Sequence, residues 1–155
     1  MTFLDTGILV GAVLEKHPEH AACREALEGM EAPVTDAHAL AEAFATLTGF
    51  YKVPVAAAAE LTLGLRANLT VEGLRVADYE KALGEAQRRG VMGGGIYDLL
   101  HATFARRKGA RRIVTRNPSH FMHTAPELEI LTPQPAASGK GRRPGAMPGA
   151  KASPR

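Results

Sequence analysis

The stretch that decides the fold is residues 2–7, TFLDTG. Its first three residues predict a short buried strand, and the largely apolar run from Thr6 to Glu15 predicts a helix that follows at once. A second stretch of the same kind, residues 112–115 (RIVT), predicts another buried strand. Strands that run directly into helices are typical of β-α-β units, so both stretches indicate an α/β fold.

The remaining periodicity completes this pattern. Weaker strand signals lie at residues 33–35, 71–74 and 129–131, and helical spacing covers residues 17–30, 36–51, 54–68, 78–89 and 96–108. Asp36 is expected to cap the N-terminus of one helix, and Gly109 to end the last one. The alternation predicts a three-layer α/β fold with a central, mainly parallel sheet flanked by helices and joined by right-handed crossovers.

Composition divides the chain into two parts. The 155 residues carry 19 basic and 16 acidic side chains, but residues 133–155 hold five of the basic groups, five prolines and no acid. We expect one domain over residues 1–132 and a disordered, basic, Pro/Gly-rich tail over residues 133–155. The single cysteine excludes an intramolecular disulfide, and no apolar run approaches the roughly 18 residues of a membrane span. A cytoplasmic protein without a membrane partner is expected.

Polar side chains follow three of the predicted strands. Asp5 and Thr6 come after the first, Thr35 and Asp36 after the second, and Thr115, Arg116 and Asn117 after the strand at residues 112–115. In an open parallel sheet, ligands bind at the carboxyl ends of the strands. Asp5 could simply cap the following helix, but a carboxylate between two apolar segments needs a compensating partner. The sequence therefore predicts a site at this edge.

Two further acids lie on the predicted helices. Glu42 is the sole charged residue between Ala37 and Tyr51, on a face of small residues that looks covered. Asp98 lies in the first turn of a helix that follows three glycines, where the helix dipole already favours an acid. Its stripe contains Ala102 and Ala105, which we expect to leave room for a ligand.

The charge pattern limits the chemistry. Residues 1–98 are net −6, whereas residues 99–126 carry six basic groups and no acid. Arg116, at the predicted site edge, is the basic residue best placed to hold a phosphate. The chain lacks the Gly-rich loops of nucleotide-binding folds, the H-E-x-x-H zinc pattern and a G-x-S-x-G nucleophile elbow, so these three classes of site are disfavoured.

Four motifs in this order resemble a known family: FLDTG at 3–7, ALAEA at 39–43, GIYDLL at 95–100 and IVTRNPSHF at 113–121. Together they resemble PIN-domain proteins, particularly the VapC toxins of bacterial toxin–antitoxin modules, over about residues 1–133. The resemblance implies a PIN-like fold and an endoribonuclease that cleaves RNA through a water activated by Mg²⁺ or Mn²⁺. It also implies inhibition by a small antitoxin protein and a homodimer.

Carried over by position, the resemblance makes Asp5, Glu42 and Asp98 the acidic metal ligands. Asn117 stands where many family members have a fourth aspartate, which leaves the choice between one and two metals open. Thr6 and Thr115 match hydroxyl positions that line the site, and with Arg116 they are expected to bind substrate. The missing fourth acid keeps an alternative open, namely a catalytically inactive PIN-like module that binds RNA or protein.

One surface is expected to bind a partner. The predicted helices at residues 36–51 and 54–68 read as an αα-hairpin, and the first carries more large apolar residues than one core face needs. These residues are Leu40, Phe44, Leu47, Phe50 and Tyr51. We expect an antitoxin or dimer surface here.

Overall fold

The computed structural model describes residues 1–134. Five strands span Thr2–Leu4 (β1), Pro33–Asp36 (β2), Thr70–Glu72 (β3), Arg112–Val114 (β4) and Glu129–Leu131 (β5). The helices span Thr6–Val13 (α1), His20–Gly29 (α2), Ala37–Gly49 (α3), Val55–Gly64 (α4), Val76–Ala86 (α5), Gly95–Arg107 (α6) and Pro118–Thr124 (α7), and a 3₁₀ turn at Leu65–Ala67 follows α4. The predicted alternation of strands and helices is confirmed.

The strands form one sheet in the order β3-β2-β1-β4-β5, and every neighbouring pair is parallel. β1 is central, with Phe3 in register with Val34 of β2 and Ile113 of β4. The carboxyl ends of β1, β2 and β4 therefore lie side by side at one edge of the sheet. This arrangement brings Asp5, Asp36 and Thr115 close together, as the sequence predicted.

The core has a layer of helices on each face of the sheet. Leu4 of β1 belongs to a cluster with buried residues of α1, α2, α3 and α4, whereas its neighbour Phe3 belongs to a second cluster with Phe104 of α6 and Phe121 of α7. Alternate residues of a strand point to opposite faces, so one three-residue strand serves both layers. The predicted three-layer α/β architecture is confirmed.

Local signals explain the helix starts that matter for the site. The carboxylate of Asp5 accepts the backbone N–H of Thr6 at 2.8 Å, and that of Asp36 accepts the N–H of Ala39 at 3.0 Å. Both acids thus cap the helix that follows their strand. A glycine also follows the C-terminus of α6: Gly109 adopts φ 71°, the left-handed conformation that glycine tolerates best.

The structure differs from the prediction at several helix bounds. α2 begins at His20 instead of residue 17, because His17 and His20 form a backbone turn in which the N–H of His20 donates to the carbonyl of His17 at 3.0 Å. α5 begins two residues earlier than expected, at Val76, where the carboxylate of Asp78 accepts the backbone N–H of Arg75 at 2.8 Å. α7 was not predicted: Asn117 and Pro118 begin a helix, since proline fits the first helical turn.

Two expectations concern the ends and the environment of the chain. The predicted tail falls, from residue 135 onward, outside the described residues. Within residues 1–134, no helix combines the length and the apolar character that crossing a membrane requires.

Candidate active site

Asp5 lies at the centre of the candidate site, at the carboxyl end of β1. Its side chain is 7% exposed, and both carboxylate oxygens are hydrogen-bonded. Oδ1 accepts the backbone N–H of Thr6, and Oδ2 accepts the hydroxyl of Thr115 at 2.7 Å. The Thr115 hydroxyl itself accepts the backbone N–H of Asn117 at 3.0 Å. The ends of β1 and β4 therefore fix the orientation of this carboxylate.

Glu42 reaches the same edge from α3. The hydroxyl of Thr6 donates to Glu42 Oε2 at 2.6 Å, so the second turn of α3 lies against the start of α1. The same Oε2 accepts a hydrogen bond from His101 Nε2 at 2.9 Å. The other oxygen, Oε1, lies 3.7 Å from His38 Nε2. Glu42 is thus held mainly through one of its two oxygens.

His101 of α6 links two acids beneath the site. Its Nδ1 donates to Asp36 Oδ2 at 2.6 Å while its Nε2 donates to Glu42, and the imidazole side chain is only 1% exposed. Burial alone would lower the pKa of His101, but the two carboxylates raise it to about 10. At neutral pH His101 is therefore a buried cation with both N–H groups donating, and Asp36 serves both as a helix cap and as its counter-ion.

Asp98 approaches from the first turn of α6. Its Oδ2 lies 3.4 Å from His120 Nδ1 of α7, which makes His120 its nearest basic neighbour. Burial raises the pKa of Asp98, His120 and His101 oppose that effect, and the charges of Asp5 and Glu42 raise it further. Asp98 is thus close enough to the other two acids for their charges to be felt.

The predicted acids meet in one cavity of about 470 Å³. Asp5, Glu42, Asp98 and Asn117 all border it, as do Thr6 and Arg116. Thr115 lies behind Asp5 and is fully buried. The structure therefore brings six of the seven predicted site residues to a common cavity and places the seventh in contact with one of them.

Three of these residues have contacts that the sequence did not indicate. The hydroxyls of Thr6 and Thr115 hold the carboxylates of Glu42 and Asp5. Arg116, predicted to hold a phosphate, donates through Nε to Glu19 Oε2 at 2.5 Å while its side chain borders the cavity. A phosphate bound here would have to share Arg116 with Glu19.

One expectation about the walls of the site is wrong. Ala102 and Ala105 were expected to leave room for a ligand beside Asp98, but both are fully buried in the core beneath the sheet. The cavity instead owes its space to Gly7, Ala45 and Thr46. α6 turns its alanine stripe toward β1, so this stripe serves packing.

The electrostatics of the cavity favour a cation. Burial raises the pKa of Asp5, even though Thr115, Thr6 and His101 favour its charged form. Glu42 differs: burial works to raise its pKa, but the hydrogen bonds from His101 and Thr6 and the charges of His101 and His38 together outweigh burial and lower it. Two of the three acids therefore lack full compensation for their charge, and a cation in the cavity would supply it.

The donor chemistry fits a hard divalent cation. The three acids and Asn117 offer carboxylate and amide oxygens, the ligands that Mg²⁺ and Mn²⁺ prefer. Within residues 1–134, however, no three acidic, histidine or cysteine side chains are gathered tightly enough to enclose an ion.

Sequence reasoning missed His101 and treated Asp36 only as a cap. A signal was present: His101 stands in an otherwise apolar and small-residue run, LLHATFA at 99–105, just as Glu42 stands alone in α3. Two isolated polar groups on helices that pack on the same sheet are candidates for a buried pair. The sequence could not show that His101 pairs with Glu42, because the two residues lie 59 positions apart.

The chain matches one known protein family over most of its length. The sequence profile of the PIN domain matches residues 2–125. The chain belongs to the PIN domain family. The matched region contains every predicted site residue, and the predicted resemblance to PIN-domain proteins is confirmed. A comparison with curated proteins gave no match.

Solved structures share the fold of this PIN domain at low sequence identity. VapC20 of Mycobacterium tuberculosis, a sarcin-ricin loop cleaving toxin, matches with a TM-score of 0.62 and 17% identity, over 73% of this chain and 87% of that one. VapBC2 of Rickettsia felis, bound to promoter DNA, gives 0.63 and 21% over 84% and 97%. FitAcB of Neisseria gonorrhoeae gives 0.60 and 16% over 86% and 98%. These likenesses establish the PIN fold.

Proposed function

We propose that this PIN domain is a metal-dependent endoribonuclease and the toxin of a toxin–antitoxin module. The observation that carries the proposal is the meeting of Asp5, Glu42, Asp98 and Asn117 at one cavity, from four separate segments of the chain. The proposal also draws on the shared fold with VapC20, described as a toxin that cleaves the sarcin-ricin loop, and on family membership.

In this proposal Asp5 and Asp98 hold the cation directly. Their raised pKa values mean that each gains most from a positive neighbour. Glu42 offers Oε1, because Oε2 already accepts from Thr6 and His101, and Asn117 offers its amide oxygen or orients a water. Mg²⁺ or Mn²⁺ would supply the Lewis acidity that activates water and offsets phosphate charge.

The residues of the chain then do the positioning. Thr115 and Thr6 orient Asp5, and Thr6 and His101 orient Glu42, so the acids need little rearrangement when the ligand arrives. Arg116 borders the cavity and can contact the RNA phosphate when its ion pair with Glu19 opens. No side-chain nucleophile is required.

The experiment compares RNA cleavage by the wild type with that by Asp5→Asn and Asp98→Asn, with Mg²⁺ and with EDTA. Glu60→Gln is the control, because Glu60 lies on α4 outside this cavity. We expect both aspartate variants to lose Mg²⁺-dependent cleavage, roughly 100-fold or more, while Glu60→Gln keeps it. Undiminished cleavage by both folded aspartate variants refutes the proposal.

The antitoxin proposal concerns the hairpin of α3 and α4. Leu47 is fully buried, and Leu40, Phe44 and Tyr51 pack against the core. Of the five apolar residues predicted for this surface, only Phe50 is therefore largely exposed. Phe50 is 76% exposed, and α4 adds Val55 at 66% and Leu63 at 62%.

This surface can be tested with the protein encoded beside the toxin. We expect Phe50→Ser combined with Val55→Ser to abolish the complex on co-purification, while both substitutions leave the fold intact because the side chains are exposed. An unchanged complex would exclude the α3–α4 surface.

The predicted homodimer stays a prediction, to be checked by light scattering of the purified chain.

A second candidate function is an inactive PIN module that binds RNA without cutting it. Two features favour it: Asn117, which borders the cavity, stands where the family resemblance implies a fourth acid, and Glu42 already pairs with His101. RNA binding that persists in EDTA, with no product under Mg²⁺ or Mn²⁺, would select this function over the nuclease.

A further inference from the structure

A second cavity lies beside the acidic cavity and shares its wall. Its volume is about 530 Å³, and Glu42, Asp98 and His120 border both cavities. The two therefore form one groove, with the acids at its middle. The second cavity therefore lies next to any phosphate that binds at the acids.

An aromatic ring borders this second cavity. Tyr97 lies in the first turn of α6, one residue before Asp98, and is 46% exposed. Its ring stacks on the imidazole of His38, with ring centroids 5.2 Å apart and an interplanar angle of 25°. His38 is in turn 3.7 Å from Glu42. The tyrosine ring is thus supported by a neighbour that lies close to the acidic cluster, and the residue borders the second cavity.

The rest of the second cavity is lined partly by glycines and by an exposed methionine. Gly90, Gly94 and Gly95 border it with no side chain to fill it. Met92 is 87% exposed at the same cavity, and its polarizable thioether makes favourable contacts with flat rings. An exposed tyrosine and an exposed methionine at one open cavity are unused by the core, because neither belongs to a core cluster.

We infer that the second cavity is a subsite for one unpaired nucleobase of the RNA, stacked on Tyr97 next to the phosphate at the acids. The inference rests on the proposed function for the identity of the ligand as RNA. Proteins hold single-stranded RNA by stacking its bases on aromatic rings beside charged grooves. A base inside a duplex keeps both faces covered, so this subsite selects single-stranded or looped RNA.

The experiment measures binding of fluorescein-labelled RNA 10-mers by fluorescence anisotropy. The probes are oligo(A), oligo(U) and an abasic ribose-phosphate oligomer of equal length, each in EDTA and in Ca²⁺ with gel checks of integrity. The proteins are the wild type, Tyr97→Ala, Tyr97→Phe and the control Tyr79→Ala. Tyr79 is 41% exposed on α5 and lies outside both cavities.

We expect Tyr97→Ala to weaken binding of the base-containing probes by roughly 5- to 100-fold, the loss expected for one base–aromatic stack. Binding of the abasic probe should stay within about twofold of the wild type. Tyr97→Phe should retain the affinity, since the ring stacks without its hydroxyl, and Tyr79→Ala should change nothing. Circular dichroism melting checks that each variant folds.

Three results would overturn the inference: equal weakening of the base-containing and abasic probes by Tyr97→Ala, unchanged affinity in that variant, or no saturable binding of any base-containing probe in either buffer. Failure of the proposed function looks different. Tyr97-dependent base binding without any cleavage would keep the subsite and reject the nuclease. Cleavage that needs Asp5 and Asp98 but ignores Tyr97 would reject the subsite alone.

Discussion

Replacing His101 by glutamine should change how the stability of this domain depends on pH. His101 is buried between Asp36 and Glu42, at 2.6 and 2.9 Å, and these acids raise its pKa to about 10. In the unfolded chain the pKa returns to its ordinary 6.5. Glutamine can donate hydrogen bonds through its NH2 group but binds no proton, so the variant lacks this difference between the folded and unfolded states.

The sign and size follow from proton linkage. Between pH 6.5 and about 10 the folded wild type binds one more proton than the unfolded chain does, so its free energy of unfolding falls as pH rises. The stabilisation is complete below pH 6.5 and is lost as the pH passes about 10. The slope is about 1.4 kcal/mol per pH unit, or roughly 2 to 3 kcal/mol between pH 7 and pH 9.

The assay is urea unfolding followed by circular dichroism from pH 7 to pH 9, in EDTA and at constant ionic strength. Subtracting the profile of His101→Gln from that of the wild type cancels the titrating groups that do not contact His101, which both proteins share. His17→Gln is the matched control: His17 is also buried, but burial and Arg116 lower its pKa, so it carries no such slope in this range. Parallel profiles for the wild type and His101→Gln would refute the reasoning.

Two further predictions concern the acids of the cavity. Asp5→Asn should raise the free energy of unfolding in EDTA at pH 7, measured in urea, because burial raises the pKa of Asp5 and makes its charge costly. The asparagine oxygen can still accept the N–H of Thr6, and its NH2 group can donate to the hydroxyl of Thr115, which reverses that hydrogen bond. A loss of stability would contradict this. Mg²⁺ at ten times its Kd should stabilise the wild type by about 1.4 kcal/mol, a Tm rise of a few degrees in calorimetry, and Asp98→Asn should lose most of that rise. An equal rise in both proteins would place the ion elsewhere.

The sequence alone was sufficient for the fold and for the edge that holds the site. Short apolar runs such as residues 2–4 favour buried strands, and the helices between them favour parallel pairing of those strands. Once the strands are parallel, the residues after them share one edge, which is why Asp5 and Asn117 could be assigned to a common site from their positions along the chain. Glu42 could be assigned to the site for a different reason: it is the sole charged residue between Ala37 and Tyr51, on a helix face that looked covered.

Only the tertiary structure decided how these side chains are paired. Thr115 holds Asp5 across 110 positions of sequence, Arg116 meets Glu19 across 97, and His101 meets Asp36 across 65. Such contacts depend on the tilt of each helix across the sheet and on the rotamers that packing allows. Residue type and periodicity determine which face of a helix is buried, but the distance between two side chains on different elements is fixed only when the layers pack.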